Sequence, residues 1–400
     1  SSDLHLTLHA VDGDRVEVLV NTESYSEKGP EGKVIAILER SRTHLAGIIS
    51  DCNEGGYYSI YSPILGKEKK IVLSPTKERE LRFGDRIVME VTSWGNKEEP
   101  TYCKYSDYIG NIDESFLDNE AAIEEFGLRS QFPDKVRKEG AACGNRVLAS
   151  EIKDREDMRS IECVTIDPDT AKDFDDAVSV IPREEGGYRL IVHIADVSHY
   201  VKPGTALDLE ARERCNSTYL PSECLPMLPK ELSDNLCSLK PNVNRLAISV
   251  IMDFNEKGQR IHYRICRSVI RSAKRFTYKE AFAVLEGKKE SPFSAHLKHM
   301  VALCKLLKKQ RYERGSIEFS LPELVVLVDN MGEPLGTDYV VYDITHQMVE
   351  EFMLSANETI ATHLANLGKN LTYRIHEEPT EESLRSEEHT SELQSHHVIS

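Results

Sequence analysis

The sequence predicts a multidomain chain: an all-β N-terminal part of OB-fold-like barrels, followed by an α+β (mixed α/β) domain. Three observations lead there. Four hundred residues exceed one ordinary domain. Residues 1 to about 110 carry short runs rich in Val, Ile and Tyr, parted by turn residues. Beyond them, apolar runs of strand length interleave with helical patterns.

In the β part the runs are RVEVLV, GKVIAIL, LAGIIS, GYYSIYSPI, KKIVLS and DRIVMEVTSW, separated by SEKGPEGK, DCNEGG and RFGD. Gly, Asn, Asp and Pro supply the backbone angles that such turns need. Leu45 to Trp94 is expected to form a complete small barrel, and residues 1 to 40 the end of another. Tyr57, Tyr58 and Tyr61 with Lys67, Lys69 and Lys70 suit a face that stacks bases and attracts phosphates. Ordinary strand tyrosines beside a solvated lysine turn explain them as well.

A mixed stretch runs from Tyr108 to Asp157, with a helix expected in DESFLDNEAAIEEFGL, where Phe116, Ile123 and Phe126 recur at helical spacing. The second domain offers strands in YRLIVHIADVSHYV, RLAISVIMDF, IHYRICRSVI and LPELVVLVD. Its helices are TYKEAFAVLEG, SAHLKHMVALCKLLKKQRYERG and THQMVEEFMLSANETIATHLANLG. On the last of these, Val349, Phe352, Met353, Ala356 and Ile360 mark an apolar face.

Composition excludes several classes. No run of eighteen apolar residues exists to form a transmembrane helix. The first residues lack the pattern of a signal peptide and open without a methionine inside a strand-like run, so the natural N-terminus is expected further upstream. The nine cysteines are scattered and never spaced C-x-x-C, which fits reduced thiols in a cytoplasm and speaks against zinc. A net charge of -17 argues against a nucleic-acid partner on average, yet leaves room for a local basic groove.

The sharpest local signal is TIDPDTAKDFDDAVSV, with Asp167, Asp169, Asp173, Asp175 and Asp176 beside an apolar run. An EF-hand reading fails, because the sixth position from Asp167 is Lys172 and the twelfth is Val178. A solvated acidic turn is the plain alternative. Against it, the cluster lies between the apolar runs IECVTI and AVSV, which hold it at the rim of a core. Two carboxylates about 4 Å apart repel by roughly 4 kcal/mol at an effective dielectric near 20. Several such pairs rival the roughly 5–15 kcal/mol that keep a domain folded. Either the side chains splay into water or a cation holds them, and all-oxygen ligation suits Mg²⁺ or Mn²⁺. Two such ions about 3.5–4 Å apart form the clamp of phosphodiester chemistry.

This segment resembles the signature of the ribonuclease II superfamily (the RNB domain), whose members degrade RNA from the 3′ end. The resemblance continues through HIADVSHYVKPGTALDLEARERCNSTYLPSECLPMLPKELSDNLCSL, SVIRSAKRFTY, GSIEF, HQMVEEFMLSANE and YRIHEEP, nearly all of residues 160 to 379. HIADVSHYV and FDDAV are nearer the ribonuclease R branch than the ribonuclease II branch. The resemblance implies Asp167, Asp173, Asp175 and Asp176 as the metal and catalytic aspartates. Asp169 falls where the family requires no acid and reads better as a turn residue after Pro168. It further implies that Tyr219 and Phe319 sandwich the bases at the RNA 3′ end, and that Tyr278 and Glu350 contact RNA. Without it, each aromatic reads as core and Glu350 as a solvated helix residue.

His346 and Glu350 stand four apart, but no further histidine completes a metal site, so His346 reads as a helix-start residue. Arg260, Arg264, Arg267, Arg271, Lys274 and Arg275 suit an RNA channel and a charged strand surface equally well.

The domain organisation expected is as follows. Residues 1–42 end a first cold-shock/OB module, 43–110 form a second, 111–150 connect, 151–385 are the RNB exoribonuclease domain, and 386–400 are a foreign or artefactual tail. The family's later arginine motif and S1-type barrel do not occur in these 400 residues, so weak activity is expected of them. The function implied is processive 3′→5′ hydrolysis of single-stranded RNA to nucleoside 5′-monophosphates, dependent on Mg²⁺ with Mn²⁺ as a substitute, in a cytoplasmic monomer without a membrane partner. A non-catalytic RNA-binding relative is the alternative, and the four intact aspartates speak against it.

Overall fold

The computed structural model describes residues 7–8, 10–26, 29–53, 55–67, 69–95, 99–316, 323–329 and 332–373. Phe319, the YRIHEEP run from residue 374 and the tail 386–400 lie outside them. Among the described residues the chain is multidomain, with a β barrel ahead of an α+β domain built on one sheet.

Strands β1 (Arg15–Ser26) and β2 (Gly29–Glu39) pair as an antiparallel hairpin. Then β3 (His44–Cys52), β4 (Tyr58–Tyr61), β5 (Ile71–Leu73), β6 (Asp85–Ser93) and β7 (Thr101–Asn111) close a barrel in the order β3-β4-β5-β7-β6. The run from Leu45 to Trp94 therefore lacks the closing strand, which falls within the expected bounds 43–110 except for its last residue. β7, in TYCKYSDYIGN, joins β5 to β6 and contributes Cys103 to a core of Leu45, Ile49, Ile71, Leu73, Ile87 and Met89. Its many polar outward residues hid a strand whose inward positions alternate. Gly47 sits where β3 is crowded: a Cβ there would meet Ile60 and Met89 at 2.5 and 2.6 Å. Of the tyrosine face, Tyr58 packs against this core and Tyr57 stands exposed.

The helix Asp118–Phe126 ends at Gly127, whose left-handed φ of 62° lets its N–H reach the carbonyl of Glu124. The second domain then gathers β8 (Glu156–Asp157), β9 (Val164–Asp167), β10 (Asp176–Pro182) and β11 (Tyr188–Ala195). After the small hairpin β12 (Thr218–Tyr219) and β13 (Cys224–Leu225) come β14 (Arg245–Phe254), β15 (Arg260–Ile270) and β16 (Lys274–Thr277). The sheet order is β16-β9-β10-β11-β14-β15-β8. Its centre is antiparallel, while β16 and β8 add parallel edges. The remaining hairpin is β17 (Glu323–Val328) with β18 (Pro334–Val340).

Period-two alternation divides the core into two layers. Val178, Val180, Leu190, Val192, Val250, Met252 and Phe254 face the helices Tyr278–Leu285, Ser294–Glu313 and Ile344–Asn366. Ala177, Ile191, Ala195, Ala247 and Ile251 face the opposite layer, which contains Val136, Leu207, Leu232 and Leu236. Covering both faces explains why these strands read as near-continuous apolar runs. Fully buried Phe276 and Phe352 each contribute about 1.5–3 kcal/mol by leaving water. On the long last helix Phe352 and Ala356 are buried, and Val349, Met353 and Ile360 pack partly against the core, as the periodicity predicts.

Candidate active site

The aspartates stand where β9 gives way to β10. β9 ends at Asp167 and β10 begins at Asp176. The antiparallel register sets Val178 opposite Val164. The end of one strand and the start of the next thus flank the connecting loop that carries Asp173 and Asp175. That loop is held by backbone bonds from outside it. Phe174 N–H donates to Ser238 Oγ at 3.1 Å, Leu239 N–H to the Phe174 carbonyl at 2.8 Å, and Ala195 N–H to the Asp175 carbonyl at 3.0 Å. Ser238 Oγ also donates to the Lys172 carbonyl at 2.7 Å. From β16, Arg275 Nη2 donates to the carbonyls of Pro168 at 2.5 Å and Asp169 at 3.3 Å. The carboxylates are thus carried on a fixed frame rather than a free turn.

Their electrostatics favour a cation. Asp167 is buried, and its Oδ2 has no hydrogen-bond partner. Burial first, then the charges of Asp176 and Asp173, push its carboxyl up to about 7, with Thr165 and Arg275 opposing. Burial and Asp175 push Asp176 up to about 6, and burial with Asp173 raises Asp175. Asp169, by contrast, meets Lys279 at 3.4 Å on the surface, as a turn residue would.

The donor set fits a hard divalent cation: all oxygen, mutually repelling, with a buried orphan oxygen at Asp167. Among the described residues no three His, Cys, Asp or Glu groups already converge on one point, so a cation would have to draw the carboxylates in.

A carboxyl raised by burial binds its proton more tightly folded than unfolded. Without a cation, its contribution is fully present below the ordinary value near 4 and is lost as pH rises toward 7. Cation-free Asp167→Asn is therefore expected to gain on wild type between pH 5 and pH 7.5, by about 1–3 kcal/mol, and to level off above. Thermal melting of both forms in EDTA across that range checks it. A difference independent of pH would reject the buried-carboxylate account.

Of the expected aromatics, Tyr219 lies at the site. From β12 its hydroxyl donates to Asp173 Oδ2 at 2.7 Å, while the residue remains 68% exposed. Tyr278 opens the helix Tyr278–Leu285 behind the Thr277 cap. Burial first, then Asp167, Asp176 and Asp343, push its hydroxyl up to about 12. Its ring stacks on His346, centroids 3.8 Å apart and 12° from parallel. His346 is a helix-start residue as expected: it completes a capping box with Asp343. Its stacking on Tyr278 had no signal in the sequence, since 68 positions separate the two. Glu350 accepts from the Tyr342 hydroxyl and lies 3.6 Å from Arg311, without a bond to any of the aspartates.

The basic series does not line one face. Arg264 forms a two-pronged pair with Glu156, Arg260 donates to Thr359, Lys274 meets Glu280, and Arg271 rests on Asn244. Alternation along β15 sends Arg264 and Arg267 to opposite sides.

Comparison with known proteins adds a family. The RNB domain model matches residues 155–398. Ribonuclease R of Chlamydia trachomatis is 40% identical over 378 residues, 94% of this chain and 54% of the relative. That of Aquifex aeolicus is 39% identical over 379 residues, 94% of this chain and 53% of the relative. The chain spans about half the length of these curated relatives. Among solved structures, Mycoplasma genitalium RNase R in complex with ribose-methylated single-stranded RNA aligns with a TM-score of 0.81 at 29% identity, covering 95% of this chain and 60% of that one. Yeast Ssd1, a pseudonuclease, aligns with a TM-score of 0.62 at 16% identity, covering 89% and 45%, and shares the fold alone.

Proposed function

The chain belongs to the RNB-domain family, and from that premise we propose that it is the catalytic part of a processive 3′→5′ exoribonuclease of the ribonuclease R type. It hydrolyses single-stranded RNA to nucleoside 5′-monophosphates in RNA turnover. The single observation that carries this reading is the rim of Asp167, Asp173, Asp175 and Asp176, with Tyr219 tied to it by a hydroxyl bond. A non-catalytic RNA-binding protein gains nothing from crowding mutually repelling carboxylates, one of them buried, which cost stability until a cation arrives.

Mg²⁺, or Mn²⁺ in its place, would be held by the four aspartates and would supply a water nucleophile and charge neutralisation at the scissile phosphate. The chain's own groups do the positioning. The loop bonds to Ser238, Leu239, Ala195 and Arg275 fix the carboxylates. Tyr219 offers an exposed ring for the last base, a contact worth about 1–3 kcal/mol that is indifferent to base identity. Tyr278 closes the neighbouring wall, braced by His346. Phe319 is proposed as the opposing aromatic and Glu350 as a contact to the RNA end. The barrel β3–β7 is proposed to feed the strand in, with exposed Tyr57 as a stacking surface.

Two variants of Tyr219 separate its roles. Tyr219→Ala is expected to weaken the grip on the RNA end and lengthen the final product, leaving cation binding intact. Tyr219→Phe keeps the ring while freeing Asp173, so product length should hold. Denaturing gels of end products from the whole protein report both. Identical products from wild type and Tyr219→Ala would remove Tyr219 from the RNA path.

A further inference from the structure

The loop that carries the aspartates has a second neighbour. With Asp169, Ala171 and Phe174 it lines a cavity of about 830 Å³ whose walls include none of Asp167, Asp173, Asp175 or Asp176. That volume lies within the roughly 300–1,000 Å³ of small-molecule sites. Its lining sets five cations, Arg146, Lys240, Arg245, Arg271 and Arg275, against the single carboxylate of Asp169. Asp169 is already engaged with Lys279. Among the described residues none of the five cations has a carboxylate within ion-pair distance.

Arg245 is the clearest case. It is 4% exposed, and its guanidinium donates only to neutral oxygens: the carbonyls of Ser238 at 2.8 Å and Asn244 at 3.0 Å, and Asn235 Oδ1 at 2.9 Å. Arg271 donates twice to Asn244 Oδ1, at 3.2 and 3.0 Å. Arg275 keeps a buried Nε without any partner. Burying a guanidinium without a carboxylate partner is costly, and the protein bears that cost at Arg245, with half-buried Arg275 and exposed Arg271 beside it on the same wall. The arrangement is complementary to an anion that presents several oxygens, and the arginine fork is the group suited to phosphate.

We propose that this cavity takes up a nucleoside 5′-monophosphate, its phosphate against the wall of Arg245, Arg271 and Arg275. The assignment rests on the ribonuclease reading, which names that nucleotide as the product. Crowded carboxylates at the rim repel a newly released phosphate dianion, and the basic wall around the same loop attracts it. Arg275 joins the two places, because it holds the loop carbonyls of Pro168 and Asp169 while lining the cavity. A threaded strand must slide between turnovers, whereas a hollow lined by a buried guanidinium suits a small ligand that dwells. Asn145 and Asn242 line the cavity too and offer amides to a ribose or base.

Calorimetric titration of the 400-residue chain with AMP in EDTA, without divalent cation, tests this. Saturable binding is expected for AMP and for UMP, and none for adenosine. Lys240→Glu and Arg271→Glu should each weaken AMP binding by roughly tenfold or more, as loss of one charge-assisted contact implies. Lys309→Glu, on the exposed face of the helix Ser294–Glu313, should leave it unchanged, and melting curves should show all three variants folded. Absence of saturable binding at millimolar AMP overturns the proposal, as does equal affinity in both wall variants. Binding of a single-stranded RNA oligomer that depends on Lys240 and Arg271, with AMP ignored, overturns it in favour of an RNA tract. Since no cleavage occurs without cation, the result stands apart from the ribonuclease reading, which a separate cleavage assay with Mg²⁺ decides.

Discussion

Asp175→Asn in the whole protein is expected to reduce single-turnover RNA cleavage by roughly 10²–10³ or more while leaving RNA affinity nearly unchanged. The amide keeps the shape of the side chain but removes a negative charge and weakens a ligand for a hard cation. The backbone carbonyl of Asp175, which accepts from Ala195 N–H at 3.0 Å, is untouched, so the loop should keep its place. Affinity depends on aromatic stacking and on basic contacts, and one charge that repels phosphate is gone, so binding holds or tightens slightly. The same variant should blunt the rise in melting temperature that Mg²⁺ gives the wild type, since a ligand that binds only the folded state stabilises it by mass action. Filter binding, single-turnover cleavage and melting with and without Mg²⁺ are the three readouts. Cleavage at near wild-type rate would mean that the aspartate rim is not the cation site.

Asp196→Ala is expected to cost about 3–5 kcal/mol of stability, because it strands a buried guanidinium. Arg155 Nη2 meets Asp196 Oδ2 at 2.5 Å, with side chains 4% and 1% exposed. Burial pushes the Asp196 carboxyl up, but the bonds from Arg155 and Ser198 outweigh it and hold it below the ordinary value. That contribution is present above the ordinary carboxylate range near 4 and is lost as pH falls through the lower folded value. The pair does more than join two charges. Arg155 also reaches the carbonyls of Ala247 and Ser268 and the ring of His199, whose Nε2 meets Glu151 at 2.8 Å. The segment leading into the sheet is thereby fastened to the ends of β11, β14 and β15. Chemical denaturation at pH 7 measures the loss, and Arg155→Met with Asp196→Leu should recover part of it by removing both charges. A loss below about 1 kcal/mol, the scale of a solvated surface pair, would show that the pair is not buried in solution.

The central strands of the α+β domain are written as near-continuous apolar runs, so YRLIVHIA and RLAISVIMDF fall in β11 and β14. The helix Ile344–Asn366 likewise declares its apolar face. The acidic cluster was legible for the same reason: its members are near neighbours in the chain, and their crowding is a local fact. β7 escaped, because outward polar residues diluted its pattern and only closure of the barrel gave its inward positions a partner.

What the sequence by itself determined is therefore whatever depends on near neighbours: the periodicities, the turns and the gathering of carboxylates between two apolar runs. Tertiary structure alone decided the rest. It brought the Tyr219 hydroxyl to Asp173 across 46 positions and the Arg275 guanidinium to Pro168 across 107. It left Asp167 Oδ2 buried and unpartnered, split the basic series between two sides of the sheet, and turned Arg245 into a buried cation facing a cavity. These depend on which surfaces lose water against which others, and the cost that burial puts on a charge is set by residues far away in the chain.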